Sequence, residues 1–193
     1  MNIEPSLFDT EFVPWDMEIA RINFGANCGP AAFAAVTGSE VCRVMRYFRH
    51  FEHSKWTNLT QMRRAFTDAG YEVAVLKRQF PQRGIALIQW LGPWTRKHFF
   101  SRWSLIYTHW VAVQGKRLFD HTVAAWQPIQ QWRKEVAPDF VSQIPKARGW
   151  EIKYGVEVHK SQLSCLGSCS AGTHSPTSAA NIAGYRRKLT SIR

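Results

Sequence analysis

The sequence is poor in cysteine and has no long hydrophobic run. Its 193 residues contain four cysteines, which are unevenly spaced. Such a set is too small for the disulfide framework of a small secreted domain. No apolar stretch approaches the ~20 residues that a membrane-spanning helix needs, and the first residues are acidic, unlike those of a signal peptide. We therefore expect no membrane span and a cytoplasmic location.

Charges of each sign are missing from opposite ends of the chain. Residues 1–20 contain five acids and no lysine or arginine, whereas residues 161–193 contain four bases and no acid. The whole chain carries a formal net charge of +11. This excess permits an acidic partner, such as a nucleic acid or an acidic protein, without requiring one.

Composition divides the chain into three parts. Residues 1–21 contain two prolines and scattered aromatic residues, which favours an extended leader. Residues 22–160 mix helical and strand patterns and are long enough for one domain with a core. Residues 161–193 are rich in serine, glycine, alanine and threonine, which predicts a flexible, basic tail.

A short helix with a cysteine at its start is the most informative stretch. Asn27 is a good N-cap, Pro30 suits a first helical turn, and Gly38 can adopt the left-handed conformation that ends a helix. These signals predict a helix from Cys28 to Thr37. The sulfur would lie at the positive end of the helix dipole, which favours the thiolate. Alternatively, Cys28 is a small buried hydrophobic residue, as most free cysteines are.

Hydrophobic periodicity predicts the remaining elements. We expect helices over 40–50, from 57 or 58 to 70, and over 129–136, and strands over 71–76, 85–91, 105–114, 117–122 and 150–159. This order of helices followed by strands predicts an α+β domain.

The pair Gly115-Lys116 predicts a two-residue β-hairpin with a type II′ turn. If Gln114 pairs with Arg117, then His109 and Asp120 lie on one face of the hairpin as diagonal neighbours. A histidine beside a carboxylate can act as a base whose orientation and charge the carboxylate supports. Alternatively, His109 is an ordinary buried histidine of a strand, and Asp120 is a carboxylate paired with another cation.

Three segments of the sequence resemble those of the papain-like cysteine peptidases. They are Cys28-Gly29-Pro30-Ala31-Ala32 at a helix start, the later Thr108-His109-Trp110, and Phe119-Asp120. The closest branch is the compact bacterial one that includes the double-glycine leader peptidases of bacteriocin exporters, and the resemblance covers residues 22–122. It implies a papain-like fold, in which an N-terminal helical half packs on an antiparallel sheet. By position, Cys28 matches the nucleophile, His109 the general base and Asp120 the orienting residue.

The resemblance implies a cysteine peptidase, or a related amide or isopeptide hydrolase, that acts on a protein or peptide through a thioester. An acyltransferase of the same fold would share these residues. No cofactor and no metal are implied. The family usually has a glutamine about six residues before the cysteine, but that position is Ile22 here. Asn23 is therefore the candidate oxyanion donor, with Asn27 a second candidate beside the Cys28 backbone N–H.

A second class of function is a papain-like module that has lost efficient catalysis and binds a partner. The predicted loop over 92–103 combines aromatic and basic residues, and arginines lie on the outer face of the predicted helix over 40–50. Such a surface could hold single-stranded nucleic acid or a protein partner. The same loop could instead be a flap over the catalytic cleft.

Overall fold

The computed structural model of the protein describes residues 11–95 and 107–161. Within these ranges the strands form one six-stranded sheet in the order β1-β6-β2-β3-β4-β5, in which all neighbours are antiparallel. Together with the helices, this sheet confirms the predicted α+β class. The strands are β1 (Tyr71–Lys77), β2 (Arg83–Leu91), β3 (Thr108–Gln114), β4 (Arg117–Asp120), β5 (Ala125–Pro128) and β6 (Gly149–Lys160).

Helices precede the sheet and also follow β5. They are α1 (Met17–Phe24), α2 (Cys28–Thr37), α3 (Val41–Val44), α4 (Leu59–Asp68), α5 (Ile129–Gln131) and α6 (Ala137–Gln143). A π-helical segment, Trp132–Val136, joins α5 to α6, so the three form a continuous helical run. Short 3₁₀ turns cover Met45–Tyr47, Arg49–Glu52 and Pro93–Thr95.

The ends of α2 follow the predicted capping chemistry, and the structure shows a further cap at the start of α4. The Asn27 side chain accepts a hydrogen bond from the backbone N–H of Gly29, and Gly38 ends α2 with a φ of 66°. At α4, Asn58 and Gln61 form a reciprocal capping box. The predicted helix from Cys28 to Thr37 is therefore confirmed.

The sheet separates two hydrophobic clusters. Alternate residues of β2 face opposite sides, because successive strand side chains alternate. Ile85 and Leu87 pack with α2, α3 and α4, whereas Ile88 and Trp90 pack with the helical run. β2 and β3 are thus covered on both faces, and side chains at their ends can reach either layer.

The hairpin has the predicted register. Gln114 pairs with Arg117, and Ala112 pairs with Phe119. Of the two turn residues, only Gly115 has a positive φ, at 59°. That combination is typical of the predicted type II′ turn.

Two predictions about the N-terminal third are corrected. The leader is not extended through residue 21, because residues 17–24 form α1, which Gly25 ends in the left-handed conformation. The helix predicted over 40–50 ends after α3 and gives way to 3₁₀ turns. Phe48 leaves the helical conformation there, with φ −116° and ψ 43°. In this position Phe48 and Phe51 are both buried, so core packing outweighs helical periodicity.

Two further differences concern the second half of the chain. β5 was not among the predicted strands, and the predicted helix over 129–136 continues to residue 143. The predicted tail after Ser161, residues 1–10 of the leader and most of the loop over 92–103 lie outside the described residues. In the part of the chain that the structure describes, no helix is long and apolar enough to cross a membrane.

Asp16 links the N-terminal segment to the helical layer. Its buried carboxylate accepts hydrogen bonds from the backbone N–H groups of Val41 (2.8 Å) and Cys42 (2.7 Å). Burial opposes ionisation, but these hydrogen bonds prevail and lower the pKa of Asp16 below its ordinary value of 3.8. Asp16 therefore supplies an N-terminal cap for α3 from outside that helix.

We predict that Asp16→Ala lowers the free energy of unfolding by about 1–3 kcal/mol at neutral pH, because two buried N–H groups lose their acceptor. Because the pKa of Asp16 is lower in the folded state, its contribution to the free energy of unfolding is present above pH 3.8. That contribution is lost as the pH falls through the pKa of the folded state. Urea denaturation at several pH values measures both effects. Asp68→Ala, which removes only a surface partner of Arg64, is the matched control. Equal stability of the two variants would contradict the anchoring role.

Candidate active site

Cys28 is held at the first position of α2 by the residues on either side of it. The Asn27 side chain accepts from the N–H of Gly29 at 3.2 Å and donates from Nδ2 to the backbone oxygen of Lys55 at 2.6 Å. One amide thus caps the helix and also fixes the neighbouring loop. The Cys28 side chain is partly buried and forms no disulfide.

His109 and Asp120 meet as the hairpin register predicts. His109 Nε2 lies 3.0 Å from Asp120 Oδ1, and both side chains are buried. Because Nε2 faces the carboxylate, Nδ1 is the ring nitrogen left for the Cys28 sulfur, and the imidazole lies close enough to lower the pKa of that thiol. The three predicted residues Cys28, His109 and Asp120 are therefore brought into one chain of contacts.

The end of β4 makes room for Cys28 beside β3. The backbone oxygen of Tyr107 accepts a hydrogen bond from the N–H of Trp90 on β2. Backbone groups alternate in direction along a strand, so those of the even-numbered residues of β3, Trp110 among them, point away from β2 and towards β4. β4 pairs with β3 only from Ala112 to Gln114. The backbone N–H of Trp110 lies beyond that pairing, and it is close enough to the Cys28 sulfur to lower the pKa of the thiol.

Opposing effects set the pKa of the Cys28 thiol. Burial raises it, but the hydrogen bond and positive charge of His109 and the N–H of Trp110 outweigh burial, so the pKa of Cys28 lies below its ordinary value. Burial likewise disfavours charge on His109, yet Asp120 and Cys28 together raise the pKa of His109 to about 10. The arrangement favours a thiolate beside an imidazolium over two neutral groups.

Asp120 is held on both carboxylate oxygens. Oδ1 accepts from His109 and from the backbone N–H of Thr122 at 2.9 Å, and Oδ2 accepts from Trp132 Nε1 at 2.9 Å. Burial works against its ionisation, but these donors keep the pKa of Asp120 well below its usual range. Asp120 is therefore a buried carboxylate that stays charged.

Aromatic side chains enclose the imidazole of His109. Trp90 stacks on it with ring centroids 6.4 Å apart, and Phe140 approaches to 5.6 Å. His121 lies 5.2 Å away between ring centroids. Burial and the charge on His109 lower the pKa of His121 to about 4, so His121 is neutral near pH 7. These neighbours exclude water from the His109 and Asp120 pair.

His109, Asp120 and His121 also form a group whose ligand atoms lie within 4.8 Å of one another. Such a set could hold a metal in principle. Here both carboxylate oxygens already accept hydrogen bonds, and the His109 ring lies between Asp120 and Cys28. Hydrogen bonding therefore accounts for Asp120 and His109, whereas the buried Nδ1 of His121 has no hydrogen-bond partner among the described residues.

A cavity of about 280 Å³ opens over the cysteine. Trp110 forms one wall, and its Nε1 donates to the backbone oxygen of Thr57 at 2.9 Å. This bond fixes the loop before α4 against β3. The cavity is lined by Asn27, Cys28, Lys55, Trp56, Thr57, Thr108 and Trp110.

Asn23 lies elsewhere. It is exposed on α1 and lines a different cavity, together with Cys42 and Arg46. Ile22, at the position where the papain-like family has glutamine, is also exposed. Asn27 does line the cavity of Cys28, but its amide already bonds at both ends. The structure thus brings neither Asn23 nor Ile22 to the sulfur.

Sequence reasoning missed the residues that reach the site from the helical run. Trp132 and Phe140 contact Asp120 and His109 respectively, and neither was among the predicted site residues. The sequence offers one signal for such a contribution: Trp132 precedes Pro138 and Phe140 follows it. Periodicity alone gives no indication that the two rings share a face.

The proposed basic aromatic surface is only partly described. Trp94 is buried, its Nε1 donates to Trp90 at 2.7 Å and its ring stacks on Tyr107, so it is a core residue. On the outer side of the helical layer, Arg46, Arg49 and Arg64 line a shallow cavity together with Asp68. A nucleic-acid or acidic partner remains a prediction.

No family model matches the sequence, and no curated protein matches it either. Among solved structures, the chain is similar to the peptidase domain of Streptococcus ComA, a bi-functional ABC transporter involved in a quorum-sensing pathway. The sequence identity is 16%, the match covers 67% of this chain and 91% of that chain, and the TM-score is 0.34. At this level of similarity, function has to be inferred from the residues of the site.

We predict that iodoacetamide modifies Cys28 at a lower pH than Cys42, because burial and the Asp16 carboxylate raise the pKa of Cys42 to about 11. His109→Ala should slow the reaction of Cys28 at neutral pH about tenfold or more, because burial then raises its pKa unopposed by the imidazole. Peptide mass spectrometry across a pH series measures both rates.

His53→Ala is the matched control, since His53 is an exposed histidine outside the cavity of Cys28. It should leave the rate unchanged. If His109→Ala and His53→Ala behave alike, the imidazole does not activate Cys28.

Proposed function

We propose that the protein is a papain-like cysteine peptidase or related amide hydrolase, in which Cys28, His109 and Asp120 form the catalytic triad. One observation carries the proposal. A buried carboxylate lies 3.0 Å from an imidazole that in turn contacts a cysteine at a helix start. This is the order of nucleophile, base and orienting group that acyl transfer requires.

In the first half of the proposed reaction, the Cys28 thiolate attacks the carbonyl carbon of an amide. The carbonyl π electrons move to oxygen and form a tetrahedral oxyanion. When that intermediate collapses, the C–N bond breaks and the amine leaves with the proton from His109. The product is a thioester on Cys28, and His109 is left neutral.

In the second half, His109 takes a proton from water, and the resulting hydroxide attacks the thioester carbonyl. The C–S bond breaks, a carboxylic acid leaves, and the thiolate and imidazolium are restored. An acyltransferase would use an amine in place of water at this step. Asp120 remains ionised throughout and stabilises the imidazolium.

Backbone donors supply the proposed oxyanion hole. The N–H of Cys28 lies in the first turn of α2, where N–H groups have no intrahelical acceptor, and the helix dipole adds positive potential there. The Asn27 amide is engaged by Gly29 and Lys55. We therefore assign no side chain to the oxyanion and do not place Asn23 in this role.

The cavity supports a protein or peptide substrate. Trp56 and Trp110 provide apolar surface on its walls, whereas Asn27 and Thr108 provide polar groups. Lys55 is the charged residue of the lining, and its ammonium donates to the backbone oxygen of Phe24 at 3.0 Å. A polypeptide, with alternating apolar and hydrogen-bonding groups, fits such walls.

The test is cleavage of a proteome-derived peptide library in water enriched in heavy oxygen, with products identified by mass spectrometry. A hydrolase should produce new C-terminal carboxylates that carry one heavy oxygen atom. An acyltransferase should instead produce peptides joined to an added amine. We expect Cys28→Ala to abolish either product, because no thioester can form.

Cys42→Ala is the matched control, because it removes the other cysteine within the described residues and lies on a different cavity. It should retain activity. Equal cleavage by wild type and Cys28→Ala would contradict the proposal. Products that persist after Cys28 has been alkylated would contradict it too, as would the absence of products from an unmodified protein whose Cys28 is selectively reactive.

A further inference from the structure

The helical run from α5 to α6 delivers a hydrogen-bond donor to the candidate triad. Trp132 is fully buried, and its Nε1 donates to Asp120 Oδ2 at 2.9 Å. An indole N–H is a donor that does not titrate in the accessible pH range. It therefore supports the ionised carboxylate at any pH at which the protein is folded.

The donor completes a fixed orientation of the carboxylate. Oδ1 is shared by His109 Nε2 and the backbone N–H of Thr122, both on one side of the group. Without a partner on Oδ2, the carboxylate could rotate and exchange its two oxygens. The Trp132 bond on Oδ2 opposes that rotation, and so keeps Oδ1 directed at His109.

Other groups near the carboxylate do not supply this bond. His121 Nδ1 lies 3.8 Å from Asp120 Oδ1, beyond hydrogen-bond distance, and has no partner within the described residues. Trp90 and Phe140 contact the imidazole through their rings. The indole of Trp132 is thus the side-chain donor on Oδ2.

Pro138 explains why the indole points there. A proline inside a helix has no N–H and clashes with the carbonyl four residues earlier, which here belongs to Lys134. The segment Trp132–Val136 is π-helical, with wider turns than an α-helix, and it includes that residue. The local widening lets the helix continue past Pro138 into α6.

The π segment also determines which side chains share a face. In an unbroken α-helix, at about 100° per residue, Trp132 and Phe140 would lie about 80° apart around the axis. The smaller rotation per residue in a π-helix removes most of that offset. Both rings then face the sheet, where Trp132 bonds Asp120 and Phe140 covers His109.

We infer that Trp132 is a positioning residue of the active site, which acts through Asp120 and which the π segment before Pro138 holds in place. This inference rests on the proposed function. Trp132 touches neither Cys28 nor the cavity over it. Its contribution passes from Asp120 to the imidazolium of His109, and from there to the thiolate.

A double-mutant cycle tests the inference. The rate of Cys28 alkylation by iodoacetamide at mildly acidic pH is measured for wild type, Trp132→Phe, Asp120→Ala and the double variant. Trp132→Phe retains a ring but removes the N–H, and should slow alkylation roughly three- to tenfold. In the Asp120→Ala background the same substitution should have no further effect, because the carboxylate through which it acts is missing.

Trp126→Phe is the matched control. Its Nε1 also donates to an oxygen, that of the Phe12 backbone, but outside the site. It should leave the alkylation rate unchanged. A merely structural role for Trp132 would slow alkylation by the same factor in both Asp120 backgrounds, and that result would overturn the inference. A rate for Trp132→Phe equal to that of wild type would overturn it too.

The proposed function and the inference fail differently. If wild-type Cys28 reacts no faster than Cys42, the proposed function fails. If wild-type Cys28 is selectively reactive but the cycle shows additive effects, only the inference fails. Should Trp132→Phe not fold, the indole N–H signals of the wild-type protein and Asp120→Asn in proton–nitrogen spectra provide the test. The Trp132 signal should shift markedly with Asp120→Asn, and an unchanged signal would overturn the inference.

Discussion

The candidate site depends on one buried charge, the carboxylate of Asp120. An ionised carboxylate is costly to remove from water unless hydrogen bonds and an opposite charge replace the lost hydration. Here three parts of the chain provide them: β3 through His109, the turn after β4 through Thr122, and the helical run through Trp132. The stabilisation of His109 as an imidazolium, and hence of Cys28 as a thiolate, follows from this charge.

The two layers of the fold meet at that chain of contacts. Cys28 packs with the hydrophobic cluster beneath α2, whereas His109 lies against Trp90 and Phe140 on the opposite side of the sheet. They can touch because β4 pairs with only the last part of β3. A longer β4 would pair with the backbone of Trp110 and engage the N–H that lowers the pKa of Cys28. The short pairing of β4 with β3 therefore leaves the backbone N–H of Trp110 available to Cys28.

Local signals in the sequence were enough to predict the positions of Cys28, His109 and Asp120. Asn27, Pro30 and Gly38 mark the bounds of α2, and Gly115 sets the register that pairs His109 with Asp120. Both devices act over a few residues and do not depend on tertiary structure. The oxyanion assignment rested instead on chain distance from the cysteine. Because residues 17–24 form a helix and not an extended segment, Asn23 lies outside the cavity.

Pro138 shows why the sequence did not predict that Trp132 and Phe140 contribute to the site. The predicted helix ends at residue 136, and the next residue precedes proline, a position that disfavours the helical conformation. The chain instead continues past the proline after a π segment, at a cost that the burial of Trp132 and the partial burial of Phe140 can offset. That compensation exists only once the sheet and the Asp120 carboxylate are in place. Pro138, which hides the continuation of the helix in the sequence, is therefore also the residue whose π segment aligns Trp132 with the site. Tertiary packing stabilises this arrangement, and no local sequence pattern predicts it.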